Sequence, residues 1–217
     1  MNYDGMQFCA AVPESVGAQY KWPHRDITWG VSADLPAIPR ESFRNAVREA
    51  FRRWESVCGI VAVELMGGAL PNVLIGIQNE RPGNVLADCE VPVGKSATGT
   101  VRMRVDTVET WCISDNPPAD RIDLVRVLTH ELGHALGSSH GPTGCLMAPT
   151  YSLRIREPQS WDIVEMRARY GYPRPNVPPT ARPIPDDQAG DIELLKIISR
   201  GGRIFARSVR NGGELEL

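Results

Sequence analysis

The chain has 217 residues, a net charge of -2 and a hydrophobic share of 42%, which suits one main domain with a sizeable core and some extra length. That charge balance excludes an overall basic field for holding nucleic acid. No apolar run reaches the ~18 residues a membrane-spanning helix needs, and residues 1–13 show neither the basic start nor the apolar stretch of a secretory signal.

In chain order, residues 27–32 (ITWGVS) read as a strand. Pro39 then introduces a helical pattern with Phe43, Val47, Phe51, Trp54 and Val57 on one face. Residues 60–66 and 73–78 are β-branched runs separated by Gly-Gly and Pro-Asn turn signals, and 100–106 alternates like a further strand. DLVRVLTHELGHALG offers an aspartate cap at Asp123, apolar helical spacing and a glycine stop, so Leu124 to Leu136 is expected as a helix. Ser160 is expected to cap a last helix over 161–170. Six prolines between Pro173 and Pro185 favour an extended linker. Beyond it, IELLKIIS, RIFARSVR and ELEL are separated by RGG and NGG, as in short strands joined by glycine turns. The expected organisation is an N-terminal segment 1–16, a main domain 17–171, a Pro-rich linker 172–190 and a short hairpin-like tail 191–217, which packs back on the domain, meets another chain or stays disordered. The fold class is α/β in the broad α+β sense: a mixed twisted sheet with three main helices.

Five cysteines (Cys9, Cys58, Cys89, Cys112 and Cys145) lack the close pairing of a zinc ribbon or redox motif. Disulfides and buried thiols both remain open.

Three of the four histidines fall within eleven residues. His130 and His134, four apart on the expected helix, present both imidazoles on one face, about one turn apart. Gly137 lets the backbone leave the helix, and a reversal there brings His140 round as a third nitrogen at about 2.0–2.1 Å from a zinc ion. Three protein ligands leave one position open for water, as in catalytic rather than structural zinc sites. Glu131, next to the first ligand, is placed to act as general base. At this composition the pattern H-E-x-x-H-x-x-G-x-x-H arises by chance on the order of once in a hundred thousand such chains. His24 has no histidine neighbour and reads as an ordinary surface residue.

That extended pattern resembles the metzincin signature, and Cys145-Leu146-Met147-Ala148-Pro149 resembles the family's Met-turn. The resemblance is strongest to matrixin catalytic domains. It spans about Lys21 to Gly171 and includes KWPHRDITW and WDIVEMRARYG. It implies a zincin-like fold, one catalytic zinc on His130, His134 and His140, Met147 beneath the ligands, and Pro149 and Tyr151 as a wall of the S1′ pocket, whose depth depends on the loop 152–159. It further implies an extracellular protein acting on polypeptides.

Departures from the family are specific. Gly141 stands where matrixins usually carry serine. LADCEVP and MRVDTVETW resemble the loop that carries a structural zinc and calcium, but Asp88 and Arg104 replace its histidines, so one zinc is expected there fewer. Asp106 and Glu109 remain candidate calcium ligands, since carboxylates suit a hard cation. FCAAVPE, residues 8–14, resembles the segment whose cysteine keeps matrixins latent, which makes Cys9 a candidate latency ligand, with Asp4 an alternative and a structural Cys9 a third reading. Two rival functions stand beside the endopeptidase: a zinc-holding binding or assembly module, and hydrolysis of peptidoglycan cross-links.

Overall fold

The structure is a computed structural model that describes residues 20–65, 70–79, 85–90 and 99–174, together with the backbone of three strands beyond residue 194. The chain divides into two compact units, Met1–Thr180 and Ala181–Leu217.

In the first unit a five-stranded sheet is built from β1 (Asp26–Val31), β2 (Val61–Glu64), β3 (Val73–Gln78), β4 (Ala87–Cys89) and β5 (Val101–Asp106), in the order β2-β1-β3-β5-β4. The pairings are parallel except at the edge, where β4 runs antiparallel to β5. Ile27 and Trp29 of β1, Val73 and Ile75 of β3, and Val101, Met103 and Val105 of β5 are buried. Alternate residues of a strand share a face, so these side chains form one apolar layer.

Helix α1 (Arg40–Glu55) covers that layer. Phe43, Val47, Phe51 and Trp54, spaced three and four apart, are all buried, and the Phe51 ring stacks on Trp29 with centroids 5.7 Å apart. Each such side chain contributes about 1.5–3 kcal/mol by leaving water. The helix stops two residues short of Val57, whose N–H donates instead to Trp54 O at 3.1 Å in a tightened last turn.

Helix α2 (Leu124–Ala135) packs against α1, and Trp54 Nε1 donates to Thr129 O at 2.8 Å across the contact. Asp123 caps it as expected, its Oδ1 accepting from the Val125 and Arg126 N–H groups at 3.1 and 3.3 Å. All twelve residues of α2 are buried. A buried helix end needs partners for its last carbonyls. Three aromatic donors supply them: Tyr20 Oη to His134 O, Trp22 Nε1 to Ala135 O at 2.9 Å and Tyr170 Oη to Leu136 O at 2.7 Å. Trp22 belongs to the KWPHRDITW stretch and Tyr170 to WDIVEMRARYG, so both stretches serve to close the end of α2.

Helix α3 (Ser160–Tyr170) begins one residue earlier than expected, and its cap is Gln159 rather than Ser160. Asp162 reaches back to accept from Gln159 N–H at 2.7 Å, completing a reciprocal capping box that fixes the start at Gln159. Strand β4 and the two-residue parallel bridge of β6 (Trp111–Cys112) with β7 (Ile122–Asp123) were not anticipated, because two or three residues are too few to display alternation.

The second unit holds a three-stranded antiparallel sheet of β8 (Leu195–Arg200), β9 (Arg203–Ser208) and β10 (Glu214–Glu216), ordered β10-β9-β8. β8 overlaps the IELLKIIS run, while β9 and β10 lie within RIFARSVR and ELEL. Residues 175–194, most of the expected linker, lie outside the described residues, as do Asp4 and Cys9. Cys58, Cys112 and Cys145 are free thiols, with Cys58 and Cys145 buried.

Candidate metal centre

His130 and His134 project from one face of α2, both fully buried. After the helix, Gly137 adopts φ +98°, a left-handed conformation that turns the chain back, and a Cβ there would lie 2.1 Å from Tyr20 O. His140 returns on the reversed segment. One ligand atom from each of the three histidines lies within 4.8 Å of the others.

Backbone carbonyls fix how the first two rings face. His130 Nδ1 lies 2.9 Å from Leu146 O and His134 Nδ1 2.8 Å from Ser138 O, so each Nδ1 carries the donated hydrogen and each Nε2 turns a lone pair inward. The two Nε2 atoms stand 3.2 Å apart. Burial, followed by the neighbouring His134, holds His130 well below its ordinary pKa, and burial pushes His134 down to about 4, so both rings are neutral at pH 7. Two inward lone pairs so close repel one another unless a cation lies between them. Nitrogens each about 2.0–2.1 Å from a tetrahedral zinc stand about 3.3 Å apart, which is the spacing found. The donor set therefore fits zinc.

Glu131 is fully buried, and neither carboxylate oxygen has a hydrogen-bond partner among the described residues. Burial, with a smaller contribution from the charge of Asp88, raises its pKa well above the usual carboxylate range.

Met147 lies under the helix. A Cβ on Gly133 would stand 2.3 Å from Met147 Sδ, so only glycine at this helical position lets the sulfur approach the helix backbone. The Met147 turn is held from two sides. Gly141 N–H donates to Met147 O at 2.9 Å, while Asp162 of α3 accepts from Leu146 N–H at 2.8 Å and Met147 N–H at 3.1 Å. Asp162 escaped the sequence reading, although its place three residues after Gln159 is the capping-box spacing that would have found it.

Past the turn, Pro149 is half-buried and Tyr151 buried, with Tyr151 Oη accepting from Asp123 N–H at 3.0 Å. The Gly141 departure has a packing cause: a Cβ there would lie 2.6 Å from Cys145 Sγ and 2.6 Å from the Trp161 ring. Asp88 and Arg104 face each other in the β4–β5 register and form a bidentate pair at 2.8 and 2.7 Å. Asp106 and Glu109 are both buried near the end of β5. His24 is exposed, as expected, with Nδ1 2.9 Å from Asp26 O.

A mixed sheet with an antiparallel edge, a buried helix offering two imidazoles, a third imidazole on the returning chain and a methionine turn beneath define a zincin-like domain of the metzincin type. The matrixin family profile matches residues 21–171. The chain is 31% identical over 186 residues to matrix metalloproteinase-16 of Rattus norvegicus, an alignment covering 76% of this chain and 30% of the relative. It is 30% identical over 192 residues to stromelysin-3 of Mus musculus, covering 81% and 37%. It is 28% identical over 197 residues to interstitial collagenase A of Mus musculus, covering 85% and 41%. This chain belongs to the matrixin family of zinc metallopeptidases, and it spans about a third of the length of these relatives. Among the described residues, no helix is long and apolar enough to cross a membrane.

Proposed function

We propose that this chain is a zinc-dependent endopeptidase in which His130, His134 and His140 hold the metal and Glu131 is the general base. The observation that carries this reading is Glu131: a fully buried carboxylate with both oxygens lacking a hydrogen-bond partner, one residue from a metal-ligating histidine. Burying such a group without a hydrogen-bond or charge partner costs several kcal/mol, a cost that a catalytic role would account for. A site that merely stored zinc would have no use for it.

Bound zinc supplies a lowered pKa for water, from about 15.7 to about 7, and polarisation of the scissile carbonyl. Glu131 takes one proton from the attacking water as its oxygen bonds to the carbonyl carbon. The C–N bond then breaks, and the Glu131 carboxyl gives that proton to the departing amine nitrogen. The carbonyls of Leu146 and Ser138 keep the two imidazoles in the tautomer that presents Nε2. Pro149 and Tyr151 are proposed as the wall of the pocket for the residue after the scissile bond.

The proposed substrates are polypeptides and the proposed setting extracellular, on the strength of family resemblance. Asp106 and Glu109 are proposed as calcium ligands, supported by their burial near one turn. A calcium titration that leaves the melting temperature unchanged would remove that assignment. Cys9 is proposed as the latency ligand, with Asp4 as the alternative; a Cys9→Ser variant that keeps an unchanged processing lag would exclude it.

Cleavage of a quenched-peptide library by the zinc-loaded chain tests the main reading. Glu131→Ala should lower kcat by about 10²–10⁴-fold while zinc remains bound, and chelation should abolish cleavage. A folded, zinc-loaded wild type without activity would favour a zinc-holding binding module.

A further inference from the structure

Three segments distant in sequence meet at Arg156. Its Nε donates to Asp123 Oδ2 at 2.5 Å, its Nη2 to Ser114 O at 2.7 Å, and its Nη1 to Asp115 O at 2.6 Å and Asp115 Oδ1 at 3.2 Å. Asp123 is fully buried, and its other carboxylate oxygen caps the first turn of α2. One guanidinium thus ties the loop 152–159 both to the helix that carries His130, Glu131 and His134 and to the turn at 114–115. The Arg156 side chain is only 18% exposed, so its pair with Asp123 is far less screened than a surface ion pair.

The same stretch of loop is held twice more. Arg126 of α2 donates from Nε to Ile155 O. Arg53 of α1 donates from Nη1 to Arg156 O at 2.5 Å and pairs with Glu157 at 3.1 Å. Asp123 also reaches the Tyr151 wall, because its N–H donates to Tyr151 Oη, and the Arg126 guanidinium lies 4.5 Å from the Tyr151 ring centroid. Wall, loop and helix start are joined through one aspartate and three arginines.

We infer that Arg156 is a positioning residue that determines which side chain the cleft accepts after the scissile bond, by locking loop 152–159 against the start of α2. This inference rests on the endopeptidase reading above. A loop pinned at three consecutive residues cannot move aside for a larger group without breaking several charge-assisted hydrogen bonds. A rigid apolar pocket discriminates one methylene by about 10- to 200-fold, whereas a loop that yields loses that discrimination.

The test uses zinc-loaded wild type, Arg156→Lys and Arg156→Ala on peptides that differ only after the scissile bond, carrying alanine, leucine or a biphenyl side chain there. The ratio of kcat/KM between the best and poorest peptide should fall about tenfold in Arg156→Ala, mostly through KM. Arg156→Lys should lie between, because an ammonium can still pair with Asp123 but lacks the fork that reaches residues 114 and 115. Hydrogen exchange at the amides of 152–157 should rise in both variants. An unchanged selectivity profile, or unchanged exchange, in a folded variant overturns the inference; if Arg156→Ala does not fold, Arg156→Lys carries both measurements. A wild type that cleaves none of the peptides overturns the endopeptidase reading and the selectivity claim with it, while raised exchange in the variants would still reveal the strap, so the two failures are distinguishable.

Discussion

The ring of Trp161 occupies the place that a side chain on Gly141 would need: Cε3 and Cζ3 both lie 2.6 Å from where its Cβ would be. Together with Cys145 Sγ, also 2.6 Å away, the first residue of α3 after its opening serine therefore limits what can follow the third histidine.

Gly141→Ser should displace the segment that carries His140. Overpacking of this kind costs about 1–3 kcal/mol, and each kcal/mol lowers the melting temperature of a domain this size by about 2–4 °C. Zinc should also be lost faster to a competing chelator. Adding Trp161→Ala should restore part of both losses, because it removes the clashing ring and leaves only Cys145 Sγ close by; a double variant no better than Gly141→Ser would show that the Trp161 ring is not what excludes a side chain there.

The Asp162 carboxylate gathers three backbone N–H groups, from Leu146, Met147 and Gln159. Asp162→Asn replaces one acceptor oxygen with an amide NH₂ that faces a donor. Urea unfolding should register a loss of about 1–3 kcal/mol, and the Met147 turn should loosen, shown by increased hydrogen exchange at residues 146 and 147. Equal stability of the two proteins would mean that the carboxylate does not hold the turn.

Asp88 and Arg104, which form a bidentate pair, stand where the resemblance to matrixins would place histidines of a second zinc site. Elemental analysis of the purified chain should return one tightly held zinc, lost in a variant lacking His130 and His134. Two equivalents of zinc would require a second ligand set. Arg104→Ala should loosen the edge strand β4 and raise exchange at residues 87–89, since the bond is a side-chain tie that reinforces the backbone ladder of β4 with β5.

Burial pushes the thiols of Cys58 and Cys145 up to about 12 from an ordinary value of 9.0. Both folded-state values lie above the unfolded ones, so the corresponding stability is complete below pH 9 and is lost as pH rises toward about 12. Alkylation at pH 8 followed by peptide mapping should label the part-exposed Cys112 well before Cys58 and Cys145, which are both buried and protonated. Equally fast labelling of Cys58 would contradict its burial against the core.

What could be read from the chain alone was what local spacing encodes. The four-residue interval of His130 and His134, the Asp123 cap and the glycine at 137 specify a helix, a shared face and an exit, all within fifteen residues. Alternation revealed β5, β-branched runs marked β2 and β3, and the 3–4 spacing of Phe43, Val47, Phe51 and Trp54 revealed α1. Strands as short as β4, β6 and β7 carry no period to detect.

Only the tertiary structure decided which distant groups complete the site. Tyr20, Trp22 and Tyr170 satisfy the last carbonyls of α2 from more than 30 residues away in either direction. Asp162 reaches the methionine turn, and Arg156 joins three segments that no sequence period relates. Such contacts depend on where whole elements pack, and packing is fixed by the summed burial of the core rather than by the residues at any one position.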